Sequence, residues 1–465
     1  MSVVEAPTED ITARLCDYAV AMSYADLPAS AVLSAKLFTL ECIGHMVHAN
    51  PQPVSQLLLR VIRSLGATGQ AVVVGTDLRT AVAEAAYANG ALAHGDELEA
   101  CGTLPGTGLI PPIAAGLAVG ELQRSSGAEY LAALVAGIEV QGRLGTAAIG
   151  ACDRGFMGFS FVGPAGAGVT AGKLFGLDGA GMRSCLGGAL PLGGGSLRGD
   201  GYMSHVHEAG VPARVGVWSA LLASEGFTAN PEYLDGRFSW GEQYVGDSST
   251  RPYRPEVITA DLGGPLFLET SDVSAKMYGT SGVTHQAVEG VITIMTDEGL
   301  TADDVATVEL LVPPFAVRIA SFPAPTTGEQ AKFSLEQAIA GILVDGVPRL
   351  PYVHAFTDEA VVDRRYVEAR DRVKVVIDET RPNVRGFDDQ VVTVNTRDGR
   401  SFTVTVDRLQ VRGRVGNLLT TDERIEVFRN TAERLGHDRT ERLVEVVMDL
   451  EHHAVTDIAE LVALP

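Results

Sequence analysis

Residues 88–107 read ANGALAHGDELEACGTLPGT, a run of small apolar residues into which His94, Asp96, Glu97, Glu99 and Cys101 arrive together. If the alanine-rich part is a helix, His94 and Glu97 lie three apart and share a face. Asp96 and Glu99 read as the solvated acidic end of that helix. An imidazole beside a carboxylate is a pair that general acid–base chemistry uses. A second group is HVHE at 205–208. On a strand His205 and His207 would share a face, as in some metal sites, but the flanking residues read as a helix, which points them ~200° apart. With no HExxH pattern and no third spaced ligand, no metal is expected, and one or both histidines are read as pocket acid–base groups. A third group, SAKMYGTSGVTH, places Lys276, Tyr278, Thr280, Ser281 and His285 just ahead of an apolar helix. A lysine beside a helix N-terminus makes a carboxylate site; equally, Lys276 can be solvated with Ser281 as the helix cap. Both readings stay open.

The glycine-rich stretches do not carry nucleotide chemistry. In GPAGAGVTAGKL, Ala167 stands five before Gly172 where a phosphate loop needs glycine, and Leu174 stands where it needs Ser or Thr. LPLGGGSLRGDG lacks the strand–turn–helix setting of a dinucleotide site. LPGTG at 104–108 matches a wall-sorting pentapeptide but sits mid-chain with no hydrophobic tail behind it.

The elements that must position these groups change in texture along the chain. Residues from about 8 to 240 repeat apolar and small residues at helical spacing, which predicts a tightly packed helical bundle. RSLGATGQ and SWGEQYVGDSSTRPYRP read as loops. Near 268 the pattern turns to strands: VATVELLV, RVKVVIDE, QVVTVNTRDG and SFTVTVDRL alternate β-branched residues, with a hairpin at TRDGRS. SLEQAIAGILVDG and EAVVDRRYVEARD read as helices between them, and helix returns after 415. The fold class expected is mainly α with α+β character. A large helical-bundle domain is built from both chain ends (1–268 and 406–465), with a smaller inserted α/β domain at 269–405.

Length and composition agree with this. A chain of 465 residues with 46% hydrophobic and 20% charged residues is globular and long enough for a substantial core. A net charge of −22 argues against nucleic acid and anionic membranes as partners. The N-terminus has no basic or apolar leader regions, and no apolar run of the ~18 residues needed to span a bilayer is read from the sequence. Five scattered cysteines without a CxxC pair read as reduced thiols. A cytoplasmic protein acting on a small molecule is expected.

The order of motifs resembles the MmgE/PrpD family, which includes 2-methylcitrate dehydratase and cis-aconitate decarboxylase. The resemblance covers nearly the whole chain. It runs through LPASAVLSAKLFTLECIG, YANGALAHGDELEA followed by LPGTGLIPPIAAGLAVGE, LVAGIEVQGRLG, FSFVGPAGAGVTAGKLFGLD, HEAGVPARVGVWSALLASEGFTA, AKMYGTSGVTH, FSLEQAIAGILVDG and VGNLLTTDERIEVFRN. It implies a helical domain with a smaller insert, a homodimer, an interdomain pocket, and no organic cofactor or obligatory metal. The chemistry implied is loss of a proton or CO₂ next to a carboxylate.

The resemblance also exposes departures. Glu97 stands where the family has aspartate, Cys101 where it has threonine, and Leu104 and Met157 where it has histidines. His205 stands at a lysine position, Ser281 at a histidine or cysteine, and Gln337 at a pocket tyrosine; Lys276 is retained. These changes remove cations and proton carriers and add apolar surface. Three functions follow. The first is proton-transfer chemistry on a less charged substrate, by elimination, decarboxylation, isomerisation or cyclisation, as in natural-product biosynthesis. The second is a standard citrate-type dehydratase, and the third a non-catalytic acid-binding member. In the first, His205, Lys276, Glu97 and Tyr278 are catalytic candidates. His94, Cys101, Leu104, Met157, His207, Ser281 and Gln337 line the substrate.

Overall fold

The computed structural model describes residues 10–247, 251–384, 386 and 389–464. Most of the N-terminal segment read above as leaderless (residues 1–9) lies outside them. The chain is mainly α with α+β character. Its buried apolar residues gather in two large clusters. One runs from Ile11 to Val273 and is completed by Phe428 to Val462. The other runs from Ala275 to Val427.

The first cluster is built on α1 (Ala29–Ala49), α2 (Val82–His94), α3 (Ile110–Gln123), α4 (Gly127–Ala147), α5 (Gly158–Leu174) and α6 (Met203–Ser224). These helices have little amphipathic contrast because they are buried nearly all round, and small residues let their backbones meet. A methyl group on Gly210 of α6 would lie 2.4 Å from the Tyr87 carbonyl of α2, and one on Gly90 would lie 3.0 Å from the Gly210 Cα. The α2–α6 crossing is therefore a backbone contact, one turn from His94 on one helix and from His205 on the other.

The second cluster surrounds a four-stranded sheet of β1 (Val305–Val312), β2 (Val373–Ile377), β3 (Gln390–Thr396) and β4 (Ser401–Val406), in the order β2-β1-β3-β4. β1 and β2 are parallel, and the other pairs antiparallel. Alternation along β3 buries Val392 and Val394 beneath α7 (His285–Asp297), where Gly290 leaves room for the Val392 side chain. α8 (Leu335–Asp345) completes this layer. α9 (Thr421–Thr431) straddles both clusters, giving Val427 to one and Phe428 to the other, and α10 (His437–Met448) packs behind it.

Three local expectations are corrected. SWGEQYV is not loop but a short helix, Trp240–Val245, because Trp240 is buried and stacks on Phe161 at 5.7 Å; residues 248–250 of that stretch lie outside the described residues. EAVVDRRYVEARD forms two helices, because Asp363 ends one and caps the next through Arg365 N. By length and composition, one described helix, α1, is apolar enough to cross a membrane. It carries Lys36, Glu41 and His45, all buried, and 78% of its apolar window lies inside the protein.

The α2–α6 contact supplies a test. Gly210→Ala is expected to lower stability by about 1–3 kcal/mol, because neither backbone can yield without repacking. Thermal melting of the variant against wild type measures it, and an unchanged Tm would show that the crossing has slack.

Candidate active site

Four segments bring the ionisable groups together. α2 ends at His94, and the chain turns with Glu97 in the left-handed region at φ 57°. A non-glycine residue costs about 1–3 kcal/mol there, a strain typical of functional positions. The turn ends in an antiparallel bridge in which Cys101 and Ser274 exchange backbone hydrogen bonds of 3.0 and 3.1 Å. That bridge sets Lys276 against the turn. The first turn of α6 brings His205, and the loop before it brings Asp200.

The Lys276 ammonium donates to Glu97 Oε1 at 2.8 Å and to Glu99 Oε1 at 2.6 Å. The other oxygen of Glu99 lies 2.9 Å from His94 Nδ1, and His94 Nε2 lies 2.8 Å from His205 Nε2. Glu97 Oε2 is 3.2 Å from His205 Nε2 and 3.4 Å from His94 Nε2. His205 Nδ1 sits 3.3 Å from Asp200 Oδ1, too poorly aligned for a hydrogen bond. All six residues are buried. The tautomer that satisfies this network has His94 donating from Nδ1 to Glu99 and accepting at Nε2 from His205.

Burial raises the Glu97 carboxyl, but Lys276, His94 and His205 outweigh it and hold Glu97 well below the usual carboxylate range. Burial and the neighbouring Glu97 push Glu99 up; Lys276 and His94 reverse this and leave it lowered. Burial would depress His205, yet Glu97, Asp200 and Glu99 raise it to about 9. Burial raises Asp200 to about 7, against the pull of His205. At neutral pH His205 is therefore an imidazolium, a proton donor whose proton has a second acceptor in His94.

The cluster forms one wall of a cavity of about 130 Å³. Of the residues singled out from sequence, Glu97, Cys101, Leu104, Met157, His205, Lys276 and Ser281 all line it, and His94 stands behind His205. Three others do not. His207 turns outward on α6 and meets the Tyr87 hydroxyl at 2.7 Å, since two residues along a helix reverse the face. Tyr278 is buried in the second cluster and donates to Glu289 at 2.7 Å. Gln337 spans Ala355 O and the Arg370 guanidinium at 2.7 Å each, inside the smaller layer.

The acidic helix end is also corrected. Glu99 is a buried member of the cluster, and Asp96 is buried between His48 Nδ1 and Gln52 Nε2, both at 2.6 Å. Lys276 is neither at a helix N-terminus nor solvated, and Thr284, not Ser281, occupies the cap position of α7. Sequence reading missed Asp200, Arg251, Arg408 and Arg414 at the cavity. The arginines correct the reading that the departures leave the pocket short of cations. Only Asp200, in RGDGY just before HVHE, carried a local signal.

His94 Nε2, Glu97 Oε2 and His205 Nε2 lie within 4.8 Å of one another, a spacing that one divalent ion could bridge. The 2.8 Å contact between the two imidazoles places a shared proton where such an ion would sit. Lys276 already neutralises Glu97. The donor set thus fits proton sharing better than metal ligation.

The raised His205 gives a pH prediction. Its proton is bound more tightly folded than unfolded, so its contribution is fully present below about pH 6.5 and is lost as pH rises through about 9. Asp200, raised to about 7, acts in the same direction at lower pH. Thermal melting of wild type is expected to fall between pH 6.5 and 9, and His205→Gln to flatten that slope; equal slopes would place the His205 titration elsewhere.

The MmgE/PrpD N-terminal domain matches residues 13–252 and the MmgE/PrpD C-terminal domain residues 278–452. The cis-aconitate decarboxylase-like protein oryM of Aspergillus oryzae is 27% identical over 302 residues, 61% of each chain. The present chain thus spans less than two thirds of that relative's length. Human cis-aconitate decarboxylase is 26% identical over 389 residues, 81% of this chain and 78% of the relative. The Mus musculus enzyme is 26% identical over 390 residues, 81% and 77%. With both family domains matched in order across most of its length, the chain belongs to the MmgE/PrpD family.

Proposed function

We propose that this protein is a lyase-type enzyme of the MmgE/PrpD family that moves a proton at the carbon next to a carboxylate or carbonyl of an apolar substrate, without a cofactor or metal. One observation carries the reading: the 2.8 Å contact between the His94 and His205 imidazoles, backed by Glu97, Glu99 and Lys276, at the wall of the cavity. The similar proteins, cis-aconitate decarboxylases and a cis-aconitate decarboxylase-like protein, support decarboxylation as a reaction class; dehydration is the other class considered.

In this reading His205 is the acid–base group. In a decarboxylation the bond to the departing CO₂ breaks, its electron pair enters an enolate, and the His205 imidazolium protonates the carbanionic carbon. In a dehydration His205 first gives up its proton; the neutral imidazole then takes the proton next to the carboxylate and returns it to the leaving hydroxide, which departs as water. His94 and Glu99 hold the second proton position and let His205 change state without exposing the site. Lys276 has three N–H donors, two of them on carboxylates, leaving the third for a developing enolate oxygen. Glu97 keeps His205 protonated and Lys276 in place. Leu104 and Met157 transfer no protons; they favour an apolar substrate body, as in natural-product biosynthesis, over a tricarboxylate. A homodimer, implied by the family, is part of the same proposal.

Incubation in D₂O with a panel of unsaturated and 2-substituted aliphatic acids, followed by NMR, tests the chemistry. Wild type is expected to exchange or convert an apolar member, and His205→Gln to slow it about 100-fold or more. Full activity of that variant would remove His205 from the mechanism. Turnover of cis-aconitate in preference to the apolar acids would favour tricarboxylate chemistry, and binding without conversion across the panel would favour a non-catalytic role. EDTA treatment is expected to leave the rate unchanged; a loss restored by a divalent ion would assign the His94–Glu97–His205 trio to a metal.

A further inference from the structure

We infer that Arg414 is the anchor for the substrate carboxylate and that the site admits a monoanion: one carboxylate on an apolar body. The inference rests on the proposed small-acid chemistry and adds to it the charge the substrate must have.

The cavity wall carries five basic side chains: His205, Lys276, Arg251, Arg408 and Arg414. Four are matched by carboxylates. Lys276 lies on Glu97 and Glu99, and His205 faces Glu97 and Asp200. Arg251 pairs with Asp153, its Nε at 2.8 Å, and Arg408 pairs with Asp272 at 2.6 Å. Glu97, Glu99, Lys276 and His205 together sum to about zero at neutral pH, and Asp200, raised to about 7, adds negative charge as it ionises, so that end of the cavity offers no net attraction to an anion.

Arg414 differs. Among the described residues its guanidinium has no carboxylate partner; the side chain's one hydrogen bond runs from a terminal nitrogen to the Cys101 carbonyl at 2.9 Å. The residue is only 5% exposed. A buried guanidinium with most of its donors unused is costly unless an anion completes it, and its planar fork matches a carboxylate in two-point contact. The wall is shaped to admit it: a methyl group on Gly282 would lie 3.0 Å from its other terminal nitrogen, so glycine leaves the guanidinium room. Neighbouring Ser281 also lines the cavity, and among the described residues its hydroxyl makes no hydrogen bond, which leaves it available as a further donor. Cys101 ties the anchor to the chemistry, because its carbonyl holds Arg414 while its backbone bridge to Ser274 sets Lys276.

Among the described residues the rest of the wall has no comparable place for a second or third carboxylate. Leu104, Met157, Phe159, Phe315, Ile319 and Phe333 are apolar, and the paired arginines present Asp153 and Asp272 to any further anion. A trianion would bury at least two carboxylates with no unpaired cation among the described residues.

Binding of three six-carbon probes, hexanoate, hexanamide and tricarballylate, tests this by calorimetry on the full-length protein. Wild type is expected to bind hexanoate about tenfold or more tightly than hexanamide, and tricarballylate more weakly than hexanoate. Arg414→Gln is expected to erase the hexanoate preference to within about twofold, with Arg414→Lys retaining part of it and the exposed control Arg364→Gln retaining all of it. Equal binding of acid and amide by wild type, no binding of either, tighter binding of tricarballylate, or an undiminished preference in a folded Arg414→Gln protein would each overturn the assignment. The wild-type comparison needs no variant to fold. Because the readout is affinity, Arg414-dependent binding with a fully active His205→Gln protein would sink the acid–base reading alone, and the reverse pattern would sink the anchor alone.

Discussion

Two carboxylates, one ammonium and two imidazoles share a buried volume in which no member could stay charged by itself. Desolvation alone would neutralise Glu97, Glu99, Lys276 and His205; together they hold each other ionised. Removing one partner from such a buried set typically costs about 3–5 kcal/mol, because the remaining charge is left without compensation. The fold is arranged around keeping the set intact. Glu97 sits in a strained left-handed conformation, Asp96 is clamped by His48 and Gln52, and buried Lys332 donates to the Gly95 carbonyl at 2.7 Å.

The same balance gives the site its chemical character. A raised histidine next to a second histidine can hold or release a proton at small cost, because the proton moves between nitrogens 2.8 Å apart within a fixed field. A cluster with no net positive charge does not draw polyanions in. In the proposed reading, charge recognition is thereby separated from proton transfer: the imidazole pair occupies one wall, and a buried arginine with no carboxylate partner among the described residues occupies another. Paired Arg251–Asp153 and Arg408–Asp272 shape the cavity without adding net charge.

The two helices that carry the imidazoles meet backbone to backbone at Gly90 and Gly210. Side-chain packing between them would set the helices farther apart, and the Nε2–Nε2 contact is only 2.8 Å long. The high glycine content thus has a local use at the site, where the absence of a Cβ fixes the approach on which the imidazole contact depends.

What could be read from the chain alone was whatever depends on local pattern. Period-3.6 and period-2 hydrophobicity located the helical ends and the four strands, and the order of motifs along the chain pointed to the family and to Glu97, His205 and Lys276. Pattern misassigned Glu99 and Asp96, since acidic residues at a helix end look solvated until a lysine 177 residues from Glu99 and a histidine 48 residues from Asp96 are folded onto them. It also gave Tyr278, His207 and Gln337 to a cavity they do not reach, because spacing gives a face of an element but not what that face meets. Arg414 left no local signature at all: that a guanidinium is buried and lacks a carboxylate among the described residues is a property of everything around it, and only tertiary structure decides that.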